Sequence, residues 1–433
     1  MEELEEDLQF TQDYLRAVET GAKVDSRRLE AVVLTCAMRA VTLRGIVELI
    51  RVAFGVERSH TWAKEIIDRA SQKAKEIFER LKPWAKVHQA VGDEIFLGAC
   101  PLLMVADPQS LAVLRLSVEE HRDKDTWAKL LAPLGTLDLF ASDLGKGMTA
   151  AVEGRGWAHQ ADVFHALRIL TEAVRIEERR AYQAIDQEYA YERRLQKLQN
   201  AGADTRGVAT NHALARKKTQ RALERFNQIE HLSRHMRAPV RLCDEFGRWI
   251  PVQDRERQIA ETMTKLEELG LARRRKVAGY WRNPKLLTFA RQMEGALGVL
   301  DLSSQELPRR ELVDAAVGAW ALKREKVRGS GALAAGLRGV AAARACPHWE
   351  SLCAQVAAIM DKALRASSAI ETLNSIWRVY QQVKKTFGTN FAYLVALYHN
   401  MRPFSEGPRE GHSPFQLLGL SLPTDNWLEL LRL

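Results

Sequence analysis

The chain has 433 residues, 46% hydrophobic and 27% charged, and its 64 Lys and Arg against 55 Asp and Glu give a formal net charge of +9. No apolar run approaches the roughly 20 residues that span a bilayer as a helix, and MEELEEDLQF at the start lacks the apolar core of a signal peptide. Five cysteines, Cys36, Cys100, Cys243, Cys346 and Cys353, form no Cys-x-x-Cys pair; this argues against a disulfide framework or a common zinc module and for a reducing cytoplasm.

Length leaves room for two to four domains. The positive excess makes a polyanion such as nucleic acid a candidate partner.

Residues 1–26 read as an acidic amphipathic helix, with Leu4, Leu8, Phe10, Tyr14, Leu15 and Val18 near helical spacing. It either stays solvated or packs on the body or on a second copy. RRLEAVVLTCAMRAV and TLRGIVELIRVAF follow as helices. After Gly55, Ser59 is a suitable N-cap for a third, HTWAKEIIDRASQKAKEIFERL. Two helices joined by a short glycine-containing turn match a helix-turn-helix, whose second helix enters the DNA major groove with its first turns. Arg58, His60, Thr61 and Lys64 then face bases or phosphates. A plain helical hairpin with a glycine cap has the same local pattern.

Lys82-Pro83 stops the third helix. From Val91 the pattern changes. VGDEIFL, PLLMVADP and LAVLRLSV are three strands, DTWAKLLAPL a helix, LDLFASDLG a fourth strand and GKGMTAAVEG a second helix. A fifth apolar run closes with HQADVFHALR. This predicts a mixed sheet within an otherwise helical chain.

Residues 169–366 return to charged helices, among them EAVRIEERRAYQAIDQEYAYERRLQKLQNAG, HALARKKTQRALERFNQIEHLSRHMRA, DRERQIAETMTKLEELG and HWESLCAQVAAIMDKALRA. CPHWESLC has no standard metal-site spacing and reads as helix-terminus sequence. Two basic runs, Arg216-Lys217-Lys218 and Arg273-Arg274-Arg275-Lys276, are either solvated faces or phosphate contacts. Residues 367–390 form a further helix with Ile370, Leu373, Trp377, Tyr380, Val383 and Phe387 on one face. Glu371, Asn374 and Arg378 share an adjacent polar face. The Pro- and Gly-rich tail has Phe415, Leu417, Leu418 and Trp427 as apolar anchors.

Acidic residues mark the sheet: Asp93 in the first strand, Asp143 at the end of the fourth, Asp162 at the end of the fifth. If the first and fourth strands are neighbours, Asp93 and Asp143 share an edge that the helix bearing Glu371 can cover. Oxygen-only ligands of this kind suit Mg²⁺ or Mn²⁺. Two such ions activate a water or a 3′-hydroxyl and stabilise the leaving oxygen at a phosphodiester. Each residue also has a plain structural use. Asp143 can make a turn in Ser-Asp-Leu-Gly, Ser368 and Glu371 fit a capping box, Asp93-Glu94 can face solvent, and Asp162 to His165 can be a polar strand end leading into a helix.

Five stretches resemble bacterial insertion-sequence transposases of the DDE class, which have an RNase H-like catalytic core. They are GDEIFLGACPLLMVADPQSLAVL, SDLGKGMTAAV, HQADVFHALR with an Asp-x-Phe-His signature, RASSAIETLNSIWRVYQQVKKTFGTNFAYLVALYHNMRPF with a Ser-Ser-x-Ile-Glu-x-x-Asn helix, and HSPFQLLGL. Together they cover about 90 residues, and their order carries more weight than any one of them. The resemblance implies Asp93, Asp143 and Glu371 as metal-binding catalytic carboxylates, with Asp162 the rival of Asp143. It implies His165 beside the scissile phosphate, and Asn374 and Arg378 as supports of Glu371, Arg378 also counting among the DNA-contacting residues.

The expected fold is α+β and predominantly helical: an RNase H-like mixed-sheet core interrupted by a large all-α insertion, after an N-terminal helix-turn-helix region. The expected segments are 1–82 (DNA binding), 83–168 (core, first part), 169–360 (insertion), 361–402 (catalytic helix) and 403–433 (tail). The expected partners are double-stranded DNA, as terminal inverted repeats and target, and further copies of the chain in a dimer or higher oligomer. No membrane is expected, and the location is the bacterial cytoplasm at the nucleoid. A non-catalytic DNA-binding relative of a transposase, or a nuclease that cuts without joining, are the alternative readings.

Overall fold

The computed structural model describes residues 25–97, 100–300, 307–381 and 388–432. The expected acidic helix at 1–26 lies, up to residue 24, outside the described residues, as do Val383 and Phe387. The chain divides into two compact units. Unit one comprises the described residues of Met1–Val87, Asp93–Gly135 and Ala369–Leu433; unit two comprises those of His88–Gly92 and Thr136–Ser368.

The chain begins with α1 (Ser26–Met38), α2 (Leu43–Phe54) and α3 (His60–Leu81). Thr42 and Ser59 cap the latter two, their hydroxyl oxygens accepting from the N–H groups of Gly45 and Trp62 at 3.1 Å each. Gly55 ends α2 at φ +63°, a left-handed conformation that glycine adopts without a Cβ clash. Then come β1 (Gln89–Leu97), β2 (Cys100–Ala106), β3 (Val113–Val118), α4 (Lys124–Leu131), β4 (Leu139–Ser142), α5 (Lys146–Gly154) and β5 (His159–Ala161).

The five strands form one sheet in the order β3-β2-β1-β4-β5. It is mixed. β2 and β3 are antiparallel, whereas β1 pairs in parallel with β4 from Gln89–Leu139 to Val91–Ala141, and β4 in parallel with β5. All residues of β4 and β5 are buried, as expected of parallel strands covered on both faces. Gly92 admits no side chain, since a Cβ there would lie 2.4 Å from the Phe140 ring.

The fifth strand is only three residues long, and VFHALR does not continue it. Asp162 caps a 38-residue helix, α6 (Val163–Asn200), by accepting the Phe164 N–H at 2.7 Å. Val163, Ala166, Ile169, Leu170 and Ala173 are buried at helical spacing, so the period of 3.6 overrides the short strand-like alternation. His165 is therefore a helix residue. After α6 come α7 (Arg206–His235), α8 (Val252–Glu268), α9 (Arg274–Trp281), α10 (Thr288–Gly298), α11 (Arg309–Lys323), α12 (Ser330–Ala345), α13 (Trp349–Asp361), α14 (Ser368–Gln381) and α15 (Thr389–Met401), with short helical turns at Pro414–Leu417 and Trp427–Leu430. No described helix is long and apolar enough to cross a membrane.

In unit one, α15 packs on α3 and β3. Phe78 of α3 meets the rings of Tyr393 and Phe415 at 5.0 and 5.8 Å. The buried Asn400 amide both donates to and accepts from the backbone of Val113, at 2.8 and 2.9 Å. That pairing satisfies β3 backbone groups on the side away from β2.

In unit two, α6 and α7 run antiparallel. Thr219 donates to the Ala184 carbonyl at 2.9 Å and Lys218 to Gln187 at 3.1 Å. Glu177, 3% exposed, is held by Arg180 and Arg225 at 2.8 and 3.1 Å and by the Ala272 N–H. Arg255 is fully buried and donates to the carbonyls of Pro239, Arg241, Leu242 and Ile250. Its guanidinium lies over the rings of Trp249 and Phe289, and burial lowers its pKa to about 9. Arg255 thus satisfies the carbonyls of a loop that no helix or strand could satisfy.

Candidate functional site

The sequence-predicted site residues fall in both units. In unit one, Asp93 lies on β1 and Glu371, Asn374 and Arg378 on α14. The buried face of α14 is the expected one, with Ile370, Leu373, Trp377 and Tyr380 excluded from solvent. Tyr380 donates to the Met38 carbonyl at 2.9 Å, which ties α14 to α1.

That packing sinks Asn374 to 1% exposure. Its Nδ2 donates to Asp93 Oδ2 at 2.7 Å, and Asp93 Oδ1 accepts the Glu94 N–H at 2.8 Å. Asn374 Oδ1 is buried with no hydrogen-bond partner among the described residues. Glu371, half-buried one turn earlier, has the Arg378 guanidinium 3.7 Å away. Of the two supports expected for Glu371, Arg378 thus approaches it, whereas Asn374 hydrogen-bonds to Asp93. Glu94 pairs with Arg122 and so is not a bare solvent-facing carboxylate.

In unit two, Asp143 follows β4 and its Oδ1 accepts the Gly145 N–H at 3.0 Å, the turn that Ser-Asp-Leu-Gly suggests. Asp162 is 3% exposed; besides capping α6 it accepts the Ser367 hydroxyl through Oδ2 at 2.6 Å. His165 is half-buried, its Nδ1 accepting from Arg168 at 2.9 Å and its ring 5.2 Å from that of Tyr280. Burial lowers the His165 pKa, opposed by the nearby carboxylates of Asp143 and Asp162 and assisted by Arg168 and Lys276. The Tyr280 hydroxyl is held well above its ordinary range, by burial first and then by the same two carboxylates. Asp143, Asp162, His165, Arg168 and Tyr280 therefore form one electrostatic neighbourhood. Tyr280 was not legible in the sequence, since α9 follows a basic run and shows no motif.

Arg58, His60, Thr61 and Lys64 are all exposed at the start of α3. Arg58 lies over the Trp62 ring, and Lys64 pairs with Asp68 at 2.7 Å. Arg216, Lys217 and Lys218 are exposed on α7. Arg273, at φ +54°, pairs with Glu172 at 2.8 Å, and Arg274, Arg275 and Lys276 open α9 on its exposed side. Among the described residues, neither unit holds three His, Cys, Asp or Glu side chains grouped as metal ligands. Cys346 ends α12 and His348 precedes α13, as helix-terminus residues.

No protein-family model matches this chain, and no curated protein matches it.

Proposed function

We propose that this chain is a DNA transposase of the DDE class, with an RNase H-like core. It binds element ends, cleaves the DNA phosphodiester and joins the freed 3′-hydroxyl to target DNA, using Mg²⁺ or Mn²⁺. The observation that carries this reading is the hydrogen bond from Asn374 to Asp93. It joins residues 281 positions apart, one from the first resembling stretch and one from the Ser-Ser-x-Ile-Glu-x-x-Asn stretch. A decorative likeness in sequence gives no reason for those two side chains to meet. The strand order adds support, because β1 and β4 are parallel neighbours. Each carries its acidic residue two positions beyond the last paired one, Asp93 after Val91 and Asp143 after Ala141.

The donor chemistry fits a hard divalent cation. Asp93, Asp143 and Glu371 offer only oxygen, and Asn374 Oδ1, which has no hydrogen-bond partner among the described residues, is a further buried oxygen beside Asp93. In this reading Asp93, Asp143 and Glu371 would hold the ions, which would supply positive charge for the attacking and leaving oxygens. Asn374 orients Asp93, and Arg378 offsets the charge of Glu371 when no metal is bound. His165 and Arg168 meet the phosphate. The pair α2–α3 acts as the helix-turn-helix, with His60, Thr61 and Lys64 at bases and Arg58 at the backbone. The runs Arg216–Lys218 and Arg273–Lys276 add phosphate contacts. Two ends require at least two copies, working on bacterial DNA in the cytoplasm.

The test is a cleavage and joining assay on DNA carrying the flanks of this gene, with Mg²⁺ or with EDTA, for the wild type and Glu371→Gln. Metal-dependent cutting and joining that vanish in the variant, while DNA binding survives, are expected. Binding without cutting by the wild type would replace this reading with a DNA-binding regulator, and cutting without joined product with a nuclease.

A further inference from the structure

We propose that His231 and His235 form a two-imidazole site for a divalent transition-metal ion of the Zn²⁺, Ni²⁺ and Cu²⁺ class, independent of the carboxylate chemistry above. The two histidines are one helical turn apart on α7, a spacing that stacks side chains on one face. Their ring centroids are 4.3 Å apart, and both rings are exposed.

Proximity alone would not make a ligand pair. The second observation is the hydrogen bond of 2.8 Å between His235 Nδ1 and the His231 carbonyl oxygen. A carbonyl only accepts, so Nδ1 carries the proton and the Nε2 lone pair is free. This is how metal-bound histidines are oriented: the second ring nitrogen donates to a carbonyl, which fixes both tautomer and ring plane. The helix backbone holds the two rings together before any ion arrives, so the second imidazole binds as an intramolecular ligand.

Imidazole suits Zn²⁺, Ni²⁺ and Cu²⁺ and is a poor ligand for Mg²⁺. The site therefore selects against the ion proposed for the carboxylates. His235 also lines a cavity of about 870 Å³ whose wall carries Asp244, Glu245 and Asp254. Among the described residues no third His, Cys, Asp or Glu groups with the pair, so water is the donor for the positions two imidazoles leave open. The same wall carries Arg234, Arg241, Arg248 and Arg310; Arg234 is paired with Glu230 and Arg248 with Asp244.

The full chain is titrated with Zn²⁺ by calorimetry in excess Mg²⁺, and with one equivalent of Cu²⁺ by electron paramagnetic resonance. Wild type, His231→Gln, His235→Gln and a His212→Gln control on the same helix are compared. Wild type is expected to bind one Zn²⁺ that Mg²⁺ does not displace, and to give a two-nitrogen Cu²⁺ spectrum. Either site substitution is expected to weaken binding at least about tenfold, the loss of an intramolecular ligand, with an unchanged melting temperature and an unchanged control. Affinity equal in wild type and both site variants, or displacement by Mg²⁺, would overturn the proposal.

Discussion

Ser367 donates its hydroxyl proton to Asp162 across 2.6 Å, linking residues 205 positions apart. The other Asp162 oxygen caps α6, so both oxygens of this buried carboxylate are committed to holding the protein together. Asp143 is half-exposed and uses one oxygen in a local turn. Asp162→Ala is expected to cost about 2–4 kcal/mol, a lost cap plus an unsatisfied buried hydroxyl. Asp143→Ala is expected to cost under about 1 kcal/mol, the worth of one exposed turn bond, yet to abolish metal-dependent cleavage. Denaturant midpoints set beside cleavage rates check this; equal destabilisation by the two substitutions would remove the distinction between them.

Asn374 positions a catalytic carboxylate in the proposed reaction rather than touching DNA. Asn374→Ala is expected to lower the cleavage rate about 10–100-fold, the usual effect of removing a residue that orients a metal ligand. It should also raise the Mg²⁺ concentration at half-maximal rate, with DNA affinity in EDTA unchanged. A lowered rate at unaltered Mg²⁺ dependence would mean that Asn374 supports only the packing of α14.

The two kinds of basic surface should separate in a binding experiment. Substituting alanine at His60 or Thr61 is expected to cost about 1–3 kcal/mol of discrimination between end DNA and unrelated DNA. Alanine at each of Arg216, Lys217 and Lys218 is expected to weaken binding to all sequences alike and to reduce the slope of log K against log salt by about one. Binding isotherms between 50 and 200 mM salt, a range wide enough to resolve the slope, decide it. If the His60 and Thr61 variants discriminate as well as wild type, α3 is not the recognition helix.

His159 gives unit two a pH dependence of definite sign. It is buried on β5 with Nε2 2.7 Å from the Ser142 hydroxyl, and Nδ1 has no partner among the described residues. Burial, reinforced by Lys285, lowers its pKa from 6.5 to about 4. The unfolded chain therefore takes up this proton first as the pH falls. The contribution is complete above pH 6.5 and is lost progressively on acidification towards pH 4, by up to about 3 kcal/mol in all. His399 in unit one, also lowered to about 4 by burial, adds in the same direction. Urea unfolding of wild type and His159→Gln over that interval should show the smaller pH dependence in the variant; parallel curves would contradict it.

Much of this architecture is local and was legible. Ser59 and Gly55 announce the ends of α3 and α2 because a capping hydroxyl and a left-handed glycine satisfy backbone groups within three or four residues of themselves. The change from helical period to strand alternation at residue 91 marks the sheet for the same reason. Where local signals compete, the reading stays open. The alternation in HQADVFHALR fits a strand, but its other reading, a polar strand end leading into a helix, is the one found: Asp162, held from the far side by Ser367, caps α6 there. α12 left no trace because SGALAAGLRGVAAARA has little contrast between its faces; Gly331 and Ala335 are buried simply because small residues allow close approach.

By itself the sequence determined the class of elements, their order, and which acidic and basic residues are candidates for chemistry, since periodicity and capping act over a single turn. Tertiary structure alone decided the partners. Asn374 sits one turn from Glu371 on the same helix, and the resemblance assigned it to that carboxylate. Burial of Ile370, Leu373 and Trp377 sets the rotation of α14, and that rotation turns the amide towards Asp93 on a strand 281 residues away. A buried polar group bonds to whatever donor or acceptor the packing brings within 3 Å, and no local pattern encodes which one that is.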